Sequence, residues 1–196
     1  LPGGTGKVLT ANKEPAARPK QFVFNALQNA LSLVPGYSVQ ITHEGGRADR
    51  ESTKNHPSGD AADFQLIKNS IIVKPTQDHD AYTKFISGLV GDSLLDNKVV
   101  GIGMYNWGVH FDQSAWRQTG SGGVAQWNGW GSNPAAGPSS VLSNGISQGR
   151  DRADQGLRST STAIIPDGSS GEVAAAEAFS DDESGKQQQT VCDPEG

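Results

Sequence analysis

The chain has 196 residues, a formal net charge of −5 at pH 7 and a hydrophobic content of 34%. This length is enough for one domain with a hydrophobic core, whereas the 25 glycines indicate that part of the chain lies outside that core. The acidic balance disfavours a nucleic-acid partner. Cys192 is the single cysteine, which excludes an internal disulfide and a zinc-thiolate cluster. No apolar run reaches the roughly 20 residues of a membrane span.

The N-terminal third predicts an arm, a helix and a strand. Residues 1–20 contain scattered glycines and prolines, which indicates an extended arm or linker. A helix is predicted from about Lys20 to Val34, ended by Pro35 and Gly36. Its apolar residues recur at spacings of three and four along one stripe: Phe24, Leu27, Leu31 and Val34. Residues 37–41 then alternate as a strand does.

A polar loop without periodicity runs from Glu44 to Ser58. Loops held on rigid elements often carry function. Arg47 follows two glycines in this loop and is a candidate for binding a substrate carboxylate or an oxyanion. The alternative is a solvated surface arginine.

The next segments alternate between strand and helix patterns. Residues 62–66 and 71–73 predict two strands, and Asp78 or Asp80 is expected to cap a second helix. The buried stripe of that helix is predicted to be Tyr82, Phe85, Ile86, Leu89 and Val90. Residues 99–105 predict a central strand whose glycines permit close backbone approach, and residues 109–112 predict a returning strand.

These elements predict an α+β domain over residues 21–118, with a small antiparallel sheet and two or three helices packed on it. Residues 119–196 are rich in Gly, Ser, Ala and Asp and hold most of the acidic surplus. We expect them to form a long irregular tail, flexible unless neighbouring protein subunits order it, with a short helix at 151–158. Because the first residue is Leu1, we also expect a processed product or a segment of a longer polypeptide.

Two histidines and two aspartates lie in positions that indicate a metal site. Alternation along a strand places Asp63 on the face opposite Ala62 and Phe64, and it places His110 and Asp112 together on the face opposite Val109. A catalytic zinc site uses three protein ligands and keeps one position open for water. His56, Asp63 and His110 are therefore the predicted zinc ligands.

The ordered pattern His56-x-x-Gly59-x-Ala61-x-Asp63, Gly101-Ile-Gly-Met-Tyr105 and Val109-His-Phe-Asp112 resembles the zinc D-alanyl-D-alanine metallopeptidases. That family includes D,D-carboxypeptidases, L,D-endopeptidases and phage peptidoglycan hydrolases, and the resemblance covers about residues 22–118. Gly45-Gly46-Arg47 is also similar to the segment that precedes the first zinc histidine there. The resemblance implies Zn²⁺ bound by His56, Asp63 and His110, with Arg47 as a substrate or intermediate contact.

The catalytic carboxylate is the point at which this chain departs from the family pattern. Many relatives have an acidic base three residues before the last histidine, where this chain has Trp107. Asp112 is the substitute that we consider, either as the general base or as a residue that orients His110. Trp107, Trp116, Trp127 and Trp130 are candidates for lining a glycan or peptide groove, and core packing or partner contacts explain them at least as well.

The resulting expectation is a zinc peptidase that hydrolyses peptide bonds of bacterial peptidoglycan, as a module of a phage virion tail or injection apparatus. A secreted wall-remodelling D,D-carboxypeptidase, extracellular or periplasmic, is the alternative within the enzyme class. The alternative from another class is a structural or interaction protein that keeps the fold without turnover.

Overall fold

The computed structural model describes residues 6–9, 19–42, 55–56, 58–113, 123–129 and 135–159. Within these ranges the chain has an α+β fold, which confirms the predicted class. The strands are β1 (Val8–Leu9), β2 (Tyr37–Ile41), β3 (Ala61–Lys68), β4 (Ile71–Val73), β5 (Val100–Met104), β6 (Val109–Asp112) and β7 (Val124–Asn128). The helices are α1 (Gln21–Ala30), extended by a 3₁₀ turn at Leu31–Leu33, α2 (His79–Leu95) and α3 (Ser139–Asp154).

The strands form one mixed sheet in the order β1-β2-β3-β6-β5-β7, with β4 paired to β3. Its centre is antiparallel, as predicted, since β3 pairs with both β2 and β6, and β6 pairs with β5. The two outermost pairs, β1 with β2 and β5 with β7, are parallel. The central β3 and β6 strands therefore have neighbours on both sides, which fixes the direction of the side chains that they present.

One face of the sheet and the helices share a single hydrophobic core. Val39, Phe64, Leu66, Ile102 and Phe111 are fully buried on this face. The predicted stripe of α2 packs against them, with the rings of Phe64 and Phe85 5.3 Å apart. In α1, Val23 is fully buried, whereas Phe24, which was predicted to be buried, is only partly buried. The buried stripe of α1 is therefore shifted by one residue from the predicted stripe. None of the helices in the described ranges has the length and apolar character to cross a bilayer.

Two residues of the predicted N-terminal arm join the sheet, because Val8 and Leu9 form β1 and pair with Val39 and Gln40. Two apolar residues are too short for a periodic signal, but the open edge of β2 supplies backbone partners. The contact is tight: a Cβ added at Gly6 would overlap the carbonyl oxygen of Tyr37.

The predicted domain end at residue 118 is also too early. Strand β7 adds to the sheet, helix α3 packs along α2, and the compact unit that contains both ends at Ala163. Val141, Leu142 and Ile146 of α3 are buried in the shared core. Composition was misleading here because the glycines of α3 lie in the helix interface, as described below. Residues 160–196 lie outside the described ranges.

Candidate metal centre

The candidate site lies on the face of the sheet opposite the hydrophobic core. Asp63 pairs with His110 across β3 and β6, His110 pairs with Gly103 across β6 and β5, and Gly103 pairs with Trp127 across β5 and β7. Residues directly opposite one another in a sheet project from the same face. The four positions therefore form one row across the sheet.

His56 reaches this row from a tight turn that leads into β3. The amide of Gly59 donates to the carbonyl of His56 at 3.0 Å, and the amide of Asp60 donates to the carbonyl of Asn55 at 2.9 Å. Gly59 has a φ of +76°, a conformation that glycine adopts without steric cost. The turn is further attached to the start of α1, because the Lys20 amide donates to the Gly59 carbonyl at 2.8 Å. His56 is thus held against the end of β3.

The structure brings His56, Asp63 and His110 together as predicted from the sequence. One ligand atom from each lies within 4.8 Å of the other two, and all three residues are buried. Asp63 Oδ1 is 2.7 Å from His110 Nδ1 and 3.5 Å from His56 Nε2. The two imidazole rings meet edge to face with centroids 5.0 Å apart.

Asp112 contacts the other side of the His110 ring. Its Oδ2 lies 2.9 Å from His110 Nε2, and the residue is 0% exposed. The His110 imidazole is therefore held between two carboxylates, one at each ring nitrogen. This arrangement fixes the plane of the ring, with Nδ1 facing Asp63 and Nε2 facing Asp112.

The electrostatics of the group reflect this mutual contact. Burial alone would raise the pKa of Asp63, but hydrogen bonds with His110 and His56 outweigh it and hold that pKa well below its usual range. Burial lowers the pKa of His110, and the carboxylates of Asp112 and Asp63 outweigh this effect, so the net direction is upward. A negative charge is therefore retained on Asp63 inside a buried site, and that charge favours a cation.

The donor set fits a divalent transition metal. Two imidazole nitrogens and one carboxylate oxygen are ligand types that zinc accepts, and three protein ligands leave a position for water or substrate. The contact of Asp112 with the far nitrogen of His110 is the kind of carboxylate–histidine support that commonly accompanies metal-binding histidines. The group could hold a metal ion, whose identity the donor set alone does not establish.

Aromatic residues extend the row away from the metal group. The ring of Trp127 lies 5.1 Å from that of His110, and its Nε1 donates to the Tyr105 hydroxyl at 2.9 Å. Tyr105 stacks on Trp107 with centroids 5.1 Å apart and an interplanar angle of 9°. Of the tryptophans proposed for a groove, Trp107 and Trp127 therefore lie near the site.

Gly103 is the residue that admits Trp127 to this position. A Cβ added at Gly103 would lie 2.4 Å from atoms of the Trp127 indole, a distance that real contacts do not reach. The sequence predicted close approach to this strand but not the side chain that approaches. A possible signal was the lone Trp127 in an alternating run, Val124–Asn128, which is too short to identify its partner strand.

Three predicted residues lie outside the described ranges: Arg47, Trp116 and Trp130. The predicted contact of Arg47 with substrate therefore stays a prediction. Comparison of the chain with protein-family models, with curated proteins and with solved structures gives no match.

Proposed function

We propose that this protein is a zinc-dependent peptidase acting on the stem peptides of bacterial peptidoglycan. The observation that carries the proposal is the buried group of His56, Asp63 and His110, with Asp112 against the far nitrogen of His110. We further propose that it works at the cell wall as a module of a phage virion. The polar, acidic sequence after residue 163 suits a part of a larger assembly.

Each residue of the group has a role in this proposal. His56 Nε2, Asp63 Oδ1 and His110 Nδ1 would hold the zinc ion, because these atoms face one another. Bound zinc would supply a water of lowered pKa, about 7, and would polarise a carbonyl. Arg47, in the sequence between β2 and β3, is proposed to bind a carboxylate or the oxyanion of the substrate.

Asp112 is assigned to orientation of His110 and not to proton transfer. A general base must reach the water whose proton it takes, within about 3 Å or through one further water. Asp112 is fully buried and contacts the His110 nitrogen that faces away from Asp63. The sequence left two roles open for Asp112, general base and orientation of His110. The position of Asp112 supports the second role.

A second candidate is an interaction protein that keeps this fold, and the metal, without turnover. The observation in its favour is Trp107, which occupies the position of the acidic base and stacks on Tyr105. Neighbouring subunits of the assembly would then be its partners. Turnover separates the two candidates, whereas metal binding is common to both.

Metal content provides the first test. Purified wild type should hold about one zinc per chain, and His56→Ala or His110→Ala should lose it. His79→Ala is the matched control, since His79 is exposed at the start of α2 and lies outside the metal group. Equal zinc in wild type and in both ligand variants, measured by atomic emission, would refute the ligand assignment.

Activity provides the second test. Zinc-loaded wild type should release new amino groups from purified peptidoglycan. Removal of zinc with a chelator should abolish this release, and addition of zinc should restore it. Mass spectrometry of the products would identify the bond. A chain that binds zinc and releases no amino groups from walls of several chemotypes would instead support the interaction protein.

A further inference from the structure

Three aromatic side chains form a connected group beside the metal group. In order outward from His110 they are Trp127, Tyr105 and Trp107, joined by a ring contact, a hydrogen bond and a stack. All three are partly exposed, whereas the metal-binding residues are buried. We call Trp127, Tyr105 and Trp107 the aromatic shelf.

The shelf also carries polar groups. Tyr105 carries a hydroxyl and Trp107 an indole N–H, and the exposed Asn106 lies between them in the chain. Binding sites in proteins commonly combine aromatic faces with a few fixed polar groups, which orient the ligand. A surface of this type suits a ligand that is apolar on one face and polar around its rim.

A pyranose ring has this character, because its C–H groups line one face and its hydroxyl groups project from the rim. A nucleobase also stacks on aromatic rings, but nucleic-acid binding draws much of its affinity from cationic contacts with phosphates. The net charge of −5 opposes such contacts. A sugar ring is therefore the ligand that the shelf and the charge together favour.

We propose that the aromatic shelf binds a sugar ring of the peptidoglycan glycan while the attached peptide lies at the metal group. The proposal rests on the proposed function, because it places the peptide at His56, Asp63 and His110. Sugar binding at the aromatic shelf would make the protein selective for peptides that are still linked to glycan. Trp127, in ring contact with His110, is the residue at which the sugar-binding and peptide-binding parts of the site meet.

Binding without turnover tests the shelf independently of the peptidase activity. The full chain would be stripped of metal and titrated with triacetylchitotriose, a sugar without any peptide, while tryptophan fluorescence is recorded. Wild type should give a saturable change, and Trp107→Ala and Trp127→Ala should each weaken binding about tenfold or more, as expected for loss of a stacking partner. Circular dichroism of each variant would verify the fold.

Conservative variants distinguish the contribution of the aromatic rings to sugar binding from that of the hydrogen bond between Trp127 and Tyr105. Tyr105→Phe removes the hydroxyl that accepts from Trp127 but keeps the stack on Trp107, so binding should fall only about two- to threefold, as for one hydrogen bond. Gly103→Ala should reproduce the Trp127→Ala loss, since its Cβ would overlap the indole.

Two results would overturn the proposal. One is absence of saturable chitotriose binding to folded wild type, including the case in which a free stem peptide binds instead. The other is unchanged binding in folded Trp107→Ala and Trp127→Ala. A different result would refute the peptidase hypothesis alone: the protein would bind chitotriose but release no amino groups from peptidoglycan.

Discussion

The two faces of the sheet use opposite kinds of contact. On the site face, β3 and β6 present large polar side chains that meet directly, with Asp63, His110 and Asp112 joined at 2.7 and 2.9 Å. On the helix face, α3 approaches α2 through glycines. A Cβ at Gly145 would lie 2.7 Å from Ile86, and one at Gly149 would lie 2.6 Å from Val90. One region depends on the groups that side chains carry, and the other depends on side chains being absent.

This difference identifies what each region tolerates. In the polar group, a change of charge at Asp63, His110 or Asp112 alters the electrostatic support that a bound cation would receive. In the helix pair, a single added methyl group must displace a neighbour in a close-packed core. We therefore expect substitutions on the site face to affect metal binding first, and substitutions in the helix pair to affect stability first.

The largest expected effect comes from removing strand β7 and helix α3. A chain ending at residue 118 loses four buried apolar side chains: Val124, Val141, Leu142 and Ile146. Each contributes about 1.5–3 kcal/mol on burial, so the total approaches the 5–15 kcal/mol that stabilises a typical domain. We expect residues 1–118 to lack cooperative urea unfolding, whereas residues 1–163 retain it. Equal stability of the two chains would show that β7 and α3 are dispensable.

A smaller loss is expected from Gly149→Ala. The added methyl group overlaps Val90, and overpacking of this kind costs about 1–3 kcal/mol, partly offset by the better helix propensity of alanine. Asn144→Ala is the control, because Asn144 is exposed on the same helix and gains propensity without overlap. Urea denaturation should place Gly149→Ala below wild type and Asn144→Ala at or slightly above it. A stabilised Gly149→Ala would mean that α3 does not lie this close to α2.

On the site face, Asp112→Asn should lower the affinity for zinc. The amide keeps the shape of the side chain but removes the charge that supports His110, and changes of this kind lower metal affinity about 10- to 100-fold. Asp96→Asn is the control, since Asp96 pairs with Arg158 on the surface. Calorimetric zinc titration measures the effect. Unchanged zinc affinity with abolished peptidase activity would instead favour Asp112 as the general base.

The sequence predicted the site face better than the helix face, for a physical reason. The two-residue period of a strand assigns Asp63, His110 and Asp112 to one face before any partner is known. No such rule predicts helix α3 from its sequence. Glycine lowers helix propensity by about 1 kcal/mol and therefore suggests the end of a helix. In the structure, Gly145 and Gly149 instead permit the close contact between α3 and α2. The pairing of β7 with β5 is long-range and parallel, so no local turn signals it.

The N-terminal cap of helix α2 should give the smallest effect. Asp78, one of two predicted caps, accepts from the Ala81 amide at 3.0 Å and from the Tyr37 hydroxyl. The Tyr37 hydrogen bond, followed by the one from Ala81, lowers the pKa of Asp78. Loss of a cap costs about 1 kcal/mol, so Asp78→Ala should destabilise by about that amount at pH 7. Asp80→Ala, at the other predicted cap, removes only a surface pair with Lys84 and should be nearly neutral.

The pH dependence of this loss follows from the direction of the pKa shift. Because the pKa of Asp78 is lower in the folded than in the unfolded state, its ionised form stabilises the fold above the unfolded value of about 3.9. That contribution disappears as the pH falls through the folded pKa. The stability difference between wild type and Asp78→Ala should therefore be constant from pH 7 to about pH 5 and shrink below pH 4. A difference that grows on acidification, measured by urea denaturation at each pH, would show that the Asp78 carboxylate does not stabilise α2.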